Sequence, residues 1–349
     1  MKKLAKLATL AMAFTLALGT LSGCSSSSST EAGVVRVGFM PYYASVPLQV
    51  IQDNGLDEKY GFEMETVMFA SGGPMAEALG AGEWDIGQIG AGGMSAIPNY
   101  NAKLIADVQS EMDGTYILAR SDSPVIAAGA NVDGYPEVLG DAASVEGLTI
   151  LCTVGNISHY MALDYIQKMG LDIADVDIVH METATIANAF ISGEGDLACF
   201  GDPTACLQLA AEDEYTPVGG LKKQGISQQD AMLVGEDFYE SNQDDIVNFM
   251  MAWYEACELL NADEEYEYEM AMKFYTENGR TVDESTVRQE IEISAYTDPS
   301  NFYDREVGLW MTGLIECYVS SGTMEETVLD ALKENIDTSL AEQAMEQMG

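Results

Sequence analysis

The sequence predicts an α/β protein of two similar lobes followed by a helical tail, and three observations carry that expectation. The stretch Glu77–Gly90 (EALGAGEWDIGQIG) recurs as Asn188–Gly201 (NAFISGEGDLACFG), with Ala78, Gly82, Glu83, Asp85 and Gly90 meeting Ala189, Gly193, Glu194, Asp196 and Gly201 at a constant offset of 111. Upstream of each copy, short apolar runs alternate with helix-period segments, giving a β-α-β-α-β unit twice. Beyond Val218 the patterns are mostly helical. Two such units are too few for a solenoid and suggest two α/β lobes.

From the start of the chain, Lys2, Lys3 and Lys6 precede an apolar core, Ala8–Leu18, too short for a comfortable membrane span. The segment ends in Leu21-Ser22-Gly23-Cys24, followed by the serine run Ser25–Ser29. Residues 1–23 are therefore expected to be a signal peptide, and residues 24–33 a flexible tether. Removing the signal leaves 12 of the 15 basic side chains against 57 acidic ones, a net charge near −45. Such a field repels nucleic acid and anionic surfaces, so neither is expected as a direct partner. Five cysteines remain beyond Cys24, an odd number with no Cys-x-x-Cys pair, which argues against a disulfide framework. Cys152, Cys199 and Cys206 lie in apolar contexts and read as small core residues. The two histidines, His159 and His180, lack metal-ligand spacing, and no metal or cofactor is expected.

Lobe one opens with an expected strand, Val34–Phe39, and a helix for which Ser45 is a plausible N-cap and Pro47 a first-turn residue. Tyr42 and Tyr43 fall at that strand's carboxyl end, where open α/β sheets bind ligands; packing within the loop is the alternative. Thr66–Phe69 is the next strand. The loops Ala70–Pro74 and Gly90–Gly93 bring Ser71, Gly72 and Gly92 to the same end of the sheet. Neither loop matches a phosphate-binding or dinucleotide fingerprint. Gly82 and Gly193 are expected as left-handed helix ends. Asp85 and Asp196 are expected to accept local backbone N–H bonds in the turns before the strands Ile86–Ile89 and Leu197–Phe200. Lys103–Val108 and Thr115–Arg120 read as strands, the second leading across a hinge, and residues 125–143 as a surface excursion.

Lobe two repeats the design with strands Leu148–Thr153 and Asp177–His180. Asn156 or Ser158 would cap its first helix, placing Ser158 and His159 at a positive helix end; a solvated loop histidine is the alternative for His159. Glu182 follows the second strand. Asp202 follows the third, either as an N-cap ahead of Pro203 or as a ligand contact. Gly219–Gly225 reads as the return crossing and Asp230–Val234 as a short strand. Helices are expected over Asp244–Leu260, Glu267–Asn278, Ser285–Ser294, Arg305–Ser320 and Met324–Gln347, packing mainly on lobe one.

Taken in order, the Cys24 signal, the stretch RVGFMPYYASVPLQVIQDNGLDEKYGFEMETVMFASGGPMAEALGAGEWDIGQIG, the stretch SVEGLTILCTVGNISHYMALDYIQKMGL and IANAFISGEGDLACFGDPTA resemble the solute-binding proteins of ABC importers of the nitrate/sulfonate/taurine type, a group that includes thiamine-pyrimidine binders. The resemblance covers roughly Val34–Ala211. It implies a type II periplasmic-binding-protein fold closing over one ligand, with Cys24 as a lipidated N-terminus held at the cell membrane outside the cytoplasm. Lobe one would comprise 34–121 and 223–349, and lobe two 122–222. A monomer is expected, delivering its solute to a permease with an ATPase. The ligand-binding candidates are Tyr42, Tyr43, Ser71, Gly72, Gly92 and Thr115 from the first half, and Asn156, Ser158, His159, Glu182 and Asp202 from the second.

The pattern departs from sulfonate binders in one respect: these cleft loops contain no Arg or Lys. Burying an anion against Glu182 and Asp202 would be costly unless a carboxyl is protonated or salt-bridged, so a zwitterion, an amine or a neutral heterocycle is favoured over a bare anion. The cysteine-rich CCCFC motif of a related thiamine-pyrimidine enzyme is reduced here to Cys199-Phe200. No nucleophile–base pair or close carboxylate pair can be named, so catalysis is not expected. The other readings are an enzyme on the same scaffold, with His159 and Asp202 or Glu182 as its acid–base pair, and a ligand-sensing surface lipoprotein without transport.

Overall fold

The computed structural model describes residues 33–111, 113–304 and 306–349; the signal segment, Cys24 and nearly all of the expected tether lie outside the described residues. The strands are β1 (Gly33–Phe39), β2 (Phe62–Met68), β3 (Ile86–Ile89), β4 (Lys103–Glu111), β5 (Tyr116–Arg120), β6 (Thr149–Cys152), β7 (Asp177–His180), β8 (Leu197–Cys199), β9 (Tyr215–Gly220), β10 (Gln228–Val234) and β11 (Ser294–Tyr296). They form two sheets, β11-β4-β10-β3-β1-β2 and β7-β6-β8-β5-β9.

The two sheets share one plan. β1 runs parallel to β2 and β3, and β6 runs parallel to β7 and β8. Each parallel trio is then flanked by a strand of opposite direction, β10 beside β3 and β5 beside β8. β10 reaches the first sheet only after the chain has visited the second, so the chain crosses between sheets twice, between β4 and β5 and between β9 and β10. This is the two-lobe periplasmic-binding-protein architecture with two hinge strands.

The repeated turn has one geometry in both copies. The helices Gly72–Gly80 and Thr183–Ile191 end at Gly82 (φ +68°) and Gly193 (φ +94°), where an L side chain would be strained. Glu83 N–H donates to the Ala78 carbonyl and Gly82 N–H to that of Leu79; Glu194 to Ala189 and Gly193 to Phe190 repeat the pattern. The aspartates that follow do something other than expected. Asp85 Oδ2 accepts from Arg36 N–H of β1 at 2.9 Å, and Asp196 Oδ2 accepts from Thr149 N–H of β6 at 2.8 Å. Asp85 N–H and Asp196 N–H donate back to the carbonyls of Arg36 and Thr149. The bonds run across strands rather than within the turn, so each acid sets the register of β3 or β8 against its parallel neighbour.

Other departures follow from packing. The region 125–143 is more than a surface excursion: Val125 and Val138 are fully buried, and Tyr165 donates to the Leu139 carbonyl at 2.6 Å. Ser294, expected as a helix end, begins β11, which pairs with β4. The expected long helix 324–347 is two, Thr327–Glu334 and Ser339–Met348, because Ile336 bridges to Leu104 between them. The helix Gln243–Ala262 carries the largest apolar payload of the C-terminal region, burying Phe249, Trp253 and Tyr254. C-terminal helices also reach the second sheet's helices: Glu284–Ile293 lies against Pro203–Ala210, and Leu309–Ser320 against Ile157–Lys168.

Candidate functional site

Six parallel strands, three from each sheet, aim their carboxyl ends at one cavity. Met40 and Tyr42–Ala44 follow β1, Ser71 and Gly72 follow β2, and Gly90–Gly92 follow β3. Asn156 and Ile157 follow β6, Thr183 follows β7, and Gly201 and Pro203 follow β8. The antiparallel β10 enters at the same end and contributes Gln228 and Asp230; β4 adds Gln109 and β11 adds Ser294. The cavity measures about 80 Å³, enough for several water molecules or a small solute. Glycine is needed where these loops converge. A Cβ on Gly92 would lie 2.8 Å from the Gly72 carbonyl oxygen, and one on Gly90 would lie 2.7 Å from Asp230 Oδ1.

Tyr42, Tyr43, Ser71, Gly72, Gly92 and Asn156 line this cavity. Tyr43 is nonetheless committed: its ring stacks on Tyr296 at 5.3 Å, and its hydroxyl donates to buried Glu267. Burial pushes the Glu267 carboxyl up to about 7. Asn156 serves as the helix cap, accepting from Ser158 N–H at 2.9 Å, while its residue still faces the cavity. Ser45 occupies the cap position of its helix, but its hydroxyl turns away from the helix and donates to the Met40 carbonyl at 2.7 Å.

The remaining candidates lie outside the lining, each for a physical reason. Thr115 is fully buried at the crossing, its carbonyl accepting from Leu221 N–H. Ser158 is buried beneath the helix start, bonded to Thr153 N–H and Asn156 Oδ1. His159 is neither solvated nor on the cavity; it packs edge-on against Tyr318 at 5.1 Å, and burial lowers it to about 4. Glu182 points to solvent beside His180 at 3.8 Å, with 65% of its side chain exposed. Asp202 caps the helix Pro203–Ala210 through Thr204 N–H and is paired with Arg280.

Arg280 is the basic residue that the sequence reading passed over. It donates to the Pro41 carbonyl at 2.8 Å and to Asp202 Oδ2 at 2.7 Å, joining a loop after β1 to a loop after β8. Its guanidinium sits 5.3 Å from the Tyr42 ring centroid and 5.2 Å from that of Tyr275. Behind it, Glu290 accepts from Thr204 Oγ1 at 2.6 Å and from the Tyr275 hydroxyl at 2.7 Å. Burial pushes the Glu290 carboxyl up to about 7. Arg280 therefore neutralises Asp202 without lining the cavity, and among the described residues the lining contains no Lys or Arg. Gln88, Gln109, Gln228 and Asp230 were also missed. Their signal was available: each is a polar residue in or beside an apolar strand, which burial tolerates only with a partner.

The family follows from comparison with known proteins. A model of the NMT1-like family matches residues 28–273. The chain belongs to that family. A putative ABC transporter periplasmic binding protein of Brachyspira hyodysenteriae is 33% identical over 349 residues, covering 99% of this chain and 100% of that one. Among solved structures, the periplasmic aliphatic sulphonate binding protein SsuA from Escherichia coli aligns with a TM-score of 0.68 at 16% identity, covering 87% of this chain and 92% of that one. The periplasmic nitrate-binding protein NrtA from Synechocystis aligns with a TM-score of 0.67 at 15% identity, covering 91% of this chain and 89% of that one. At such identities these two structures speak for the shared fold.

Proposed function

We propose that this member of the family captures a small organic solute bearing N–H donors, a zwitterion, an amine or a neutral heterocycle, in preference to a bare anion. The chain is an extracytoplasmic solute-binding protein of an ABC importer, in line with its relative from Brachyspira. The observation that carries the solute class is the lining: six strand ends and β10 surround one cavity with amide, hydroxyl and carboxylate groups and, among the described residues, no cationic side chain. Sulphonate and nitrate are named for the structural neighbours. Here Asp230 lines the cavity, and burying an anion beside a second like charge is costly.

Lobe one comprises 34–121 and 223–349, and lobe two 122–222. Cys24 carries the lipid anchor. The protein acts as a monomer and binds without turnover. Hinge closure works by differential affinity, with the solute touching both sets of loops only when they are close.

A thermal-shift screen on protein lacking residues 1–24 tests the solute class. The panel holds nitrate, alkyl sulfonates and taurine beside amines, polyamines and neutral heterocycles. Solute at about 1,000 times its Kd adds roughly 4 kcal/mol, several degrees in Tm. Hits confined to amines, heterocycles and the zwitterion taurine are expected. Hits confined to nitrate or sulfonates would overturn the reading and assign the anion to the helix starts at Gly72 and Ile157.

A further inference from the structure

Resting on the reading of this cavity as the solute site, the geometry points to Asp230 as its specificity-determining residue, holding a nitrogen cation beside Gln88 and Gln228. Asp230 is 9% exposed, lines the cavity, and has no hydrogen bond or ion pair to its carboxylate among the described residues. A carboxylate removed from water without a partner is a strongly unfavourable arrangement, and one that a cationic ligand relieves. Its placement is built. The pairing of β10 with β4 shifts register between Asp230 and Ala231, where Val108 of β4 is the extra residue opposite them. The absent side chain of Gly90 leaves room for Oδ1.

Two amide oxygens on the same cavity are also without partners, Gln88 Oε1 and Gln228 Oε1. For Gln88 the amide orientation is fixed by its neighbours. Ser45 Oγ donates its single proton to the Met40 carbonyl, so toward Gln88 it can only accept. The Gln88 Nε2 group therefore faces Ser45, and Oε1 is left buried without a donor among the described residues. An unpaired carboxylate with amide oxygens that lack donors beside it matches an ammonium, amidinium or protonated amino-heterocycle and repels carboxylate or sulfonate. Asp107 is the charged neighbour that acts on Asp230, and being acidic it reinforces the same preference.

The test uses paired probes of one shape on the chain lacking residues 1–24: benzylamine and benzamidine as cations, benzyl alcohol as the neutral partner, benzoate and benzenesulfonate as anions. Calorimetry and thermal shift should detect the cations, with benzyl alcohol at least tenfold weaker and the anions silent. Asp230→Asn should weaken cation binding at least tenfold while leaving the Tm of the empty protein unchanged or higher, since no protein partner is lost. A purely structural Asp230 would instead lower that Tm and leave the cation-over-neutral ratio intact. Asp230→Ser repeats the measurement should the Asn variant fold poorly. Binding of benzyl alcohol or an anion with no cation preference overturns this inference and leaves solute binding standing. Silence from every probe here and from the whole solute panel removes both.

Discussion

The Arg280–Asp202 pair should set how firmly the two halves of the site stay together, and its contribution can be worked from the structure. The guanidinium joins the Pro41 carbonyl on one side and Asp202 on the other, with side-chain exposures of 20% and 10% for Arg280 and Asp202. Exposed pairs are worth about 0–1 kcal/mol, and hydrogen bonds to charged groups about 1.5–3 kcal/mol. Opening would return both charges to water, so the penalty for an unpaired buried ion is only partly felt. Loss of the pair should therefore shift the closed–open balance by about 1–2 kcal/mol, and the apparent Kd by about 5- to 30-fold. Asp202→Asn is the suitable change because asparagine keeps the helix cap on Thr204 N–H, whereas Asp202→Ala would lose about 1 kcal/mol of capping as well. Arg280→Met and the double variant complete a cycle. The assay is calorimetric Kd for a solute found in the screen, with small-angle scattering of the empty proteins. Additivity within about 0.5 kcal/mol, together with an unchanged radius of gyration, would refute the coupling.

Other consequences can be checked with the same protein. Asp230, Glu267 and Glu290 are each raised to about 7 by burial, from ordinary values of 3.8, 4.5 and 4.5. A raised acid stabilises the fold below its ordinary value and loses that contribution as pH rises toward 7. His159, lowered from 6.5 to about 4, runs the other way, its contribution being lost as pH falls through that interval. Three groups oppose one, so Tm should be higher at pH 5.5 than at pH 7.5; a flat or reversed profile would count against the buried acids. Gly82→Ala and Gly193→Ala should each cost about 1–2 kcal/mol in urea melts, because each φ is positive. Asp85→Ala should destabilise more than Asp196→Ala, about 2–3 against about 1 kcal/mol, since Asp85 is buried and also pairs with Arg36 while Asp196 is exposed. Gly90→Ala should abolish solute binding with the fold intact by crowding Asp230 Oδ1, read by calorimetry beside circular dichroism.

What was legible in the sequence was local. Gly82 and Gly193 announce their helix ends because positive φ is a property of one residue, and the short apolar runs announce buried strands by composition. The loops at the strand ends were equally readable, which is why Tyr42, Ser71, Gly72, Gly92 and Asn156 fall on the cavity. What escaped was the partner of each polar group. Asp85 and Asp196 looked like turn residues because the strand N–H groups they bind lie far upstream in the chain. His159 read as a ligand contact or a solvated loop residue because Tyr318, which covers it, arrives from the C-terminal helices. Asp230 and Arg280 were passed over for the same reason: the loops that define the cavity all precede them, and only the return of the chain brings them there.

That late return orders the assembly of the molecule. The second sheet draws all its strands from one continuous stretch, Tyr116 to Gly220, and can complete itself as soon as that stretch exists. The first sheet cannot. β3 and β4 are separated by a slot that only β10 fills, so until residues 228–234 are present each of them keeps an unsatisfied edge. The half of the chain made first is thus the last to become a finished sheet: β10, which carries Asp230, fills the slot, and β11 joins the edge later still. A growing or partly threaded chain therefore has no complete pocket to fill, and acquires one only when the chain through Ser294 of β11 is in place.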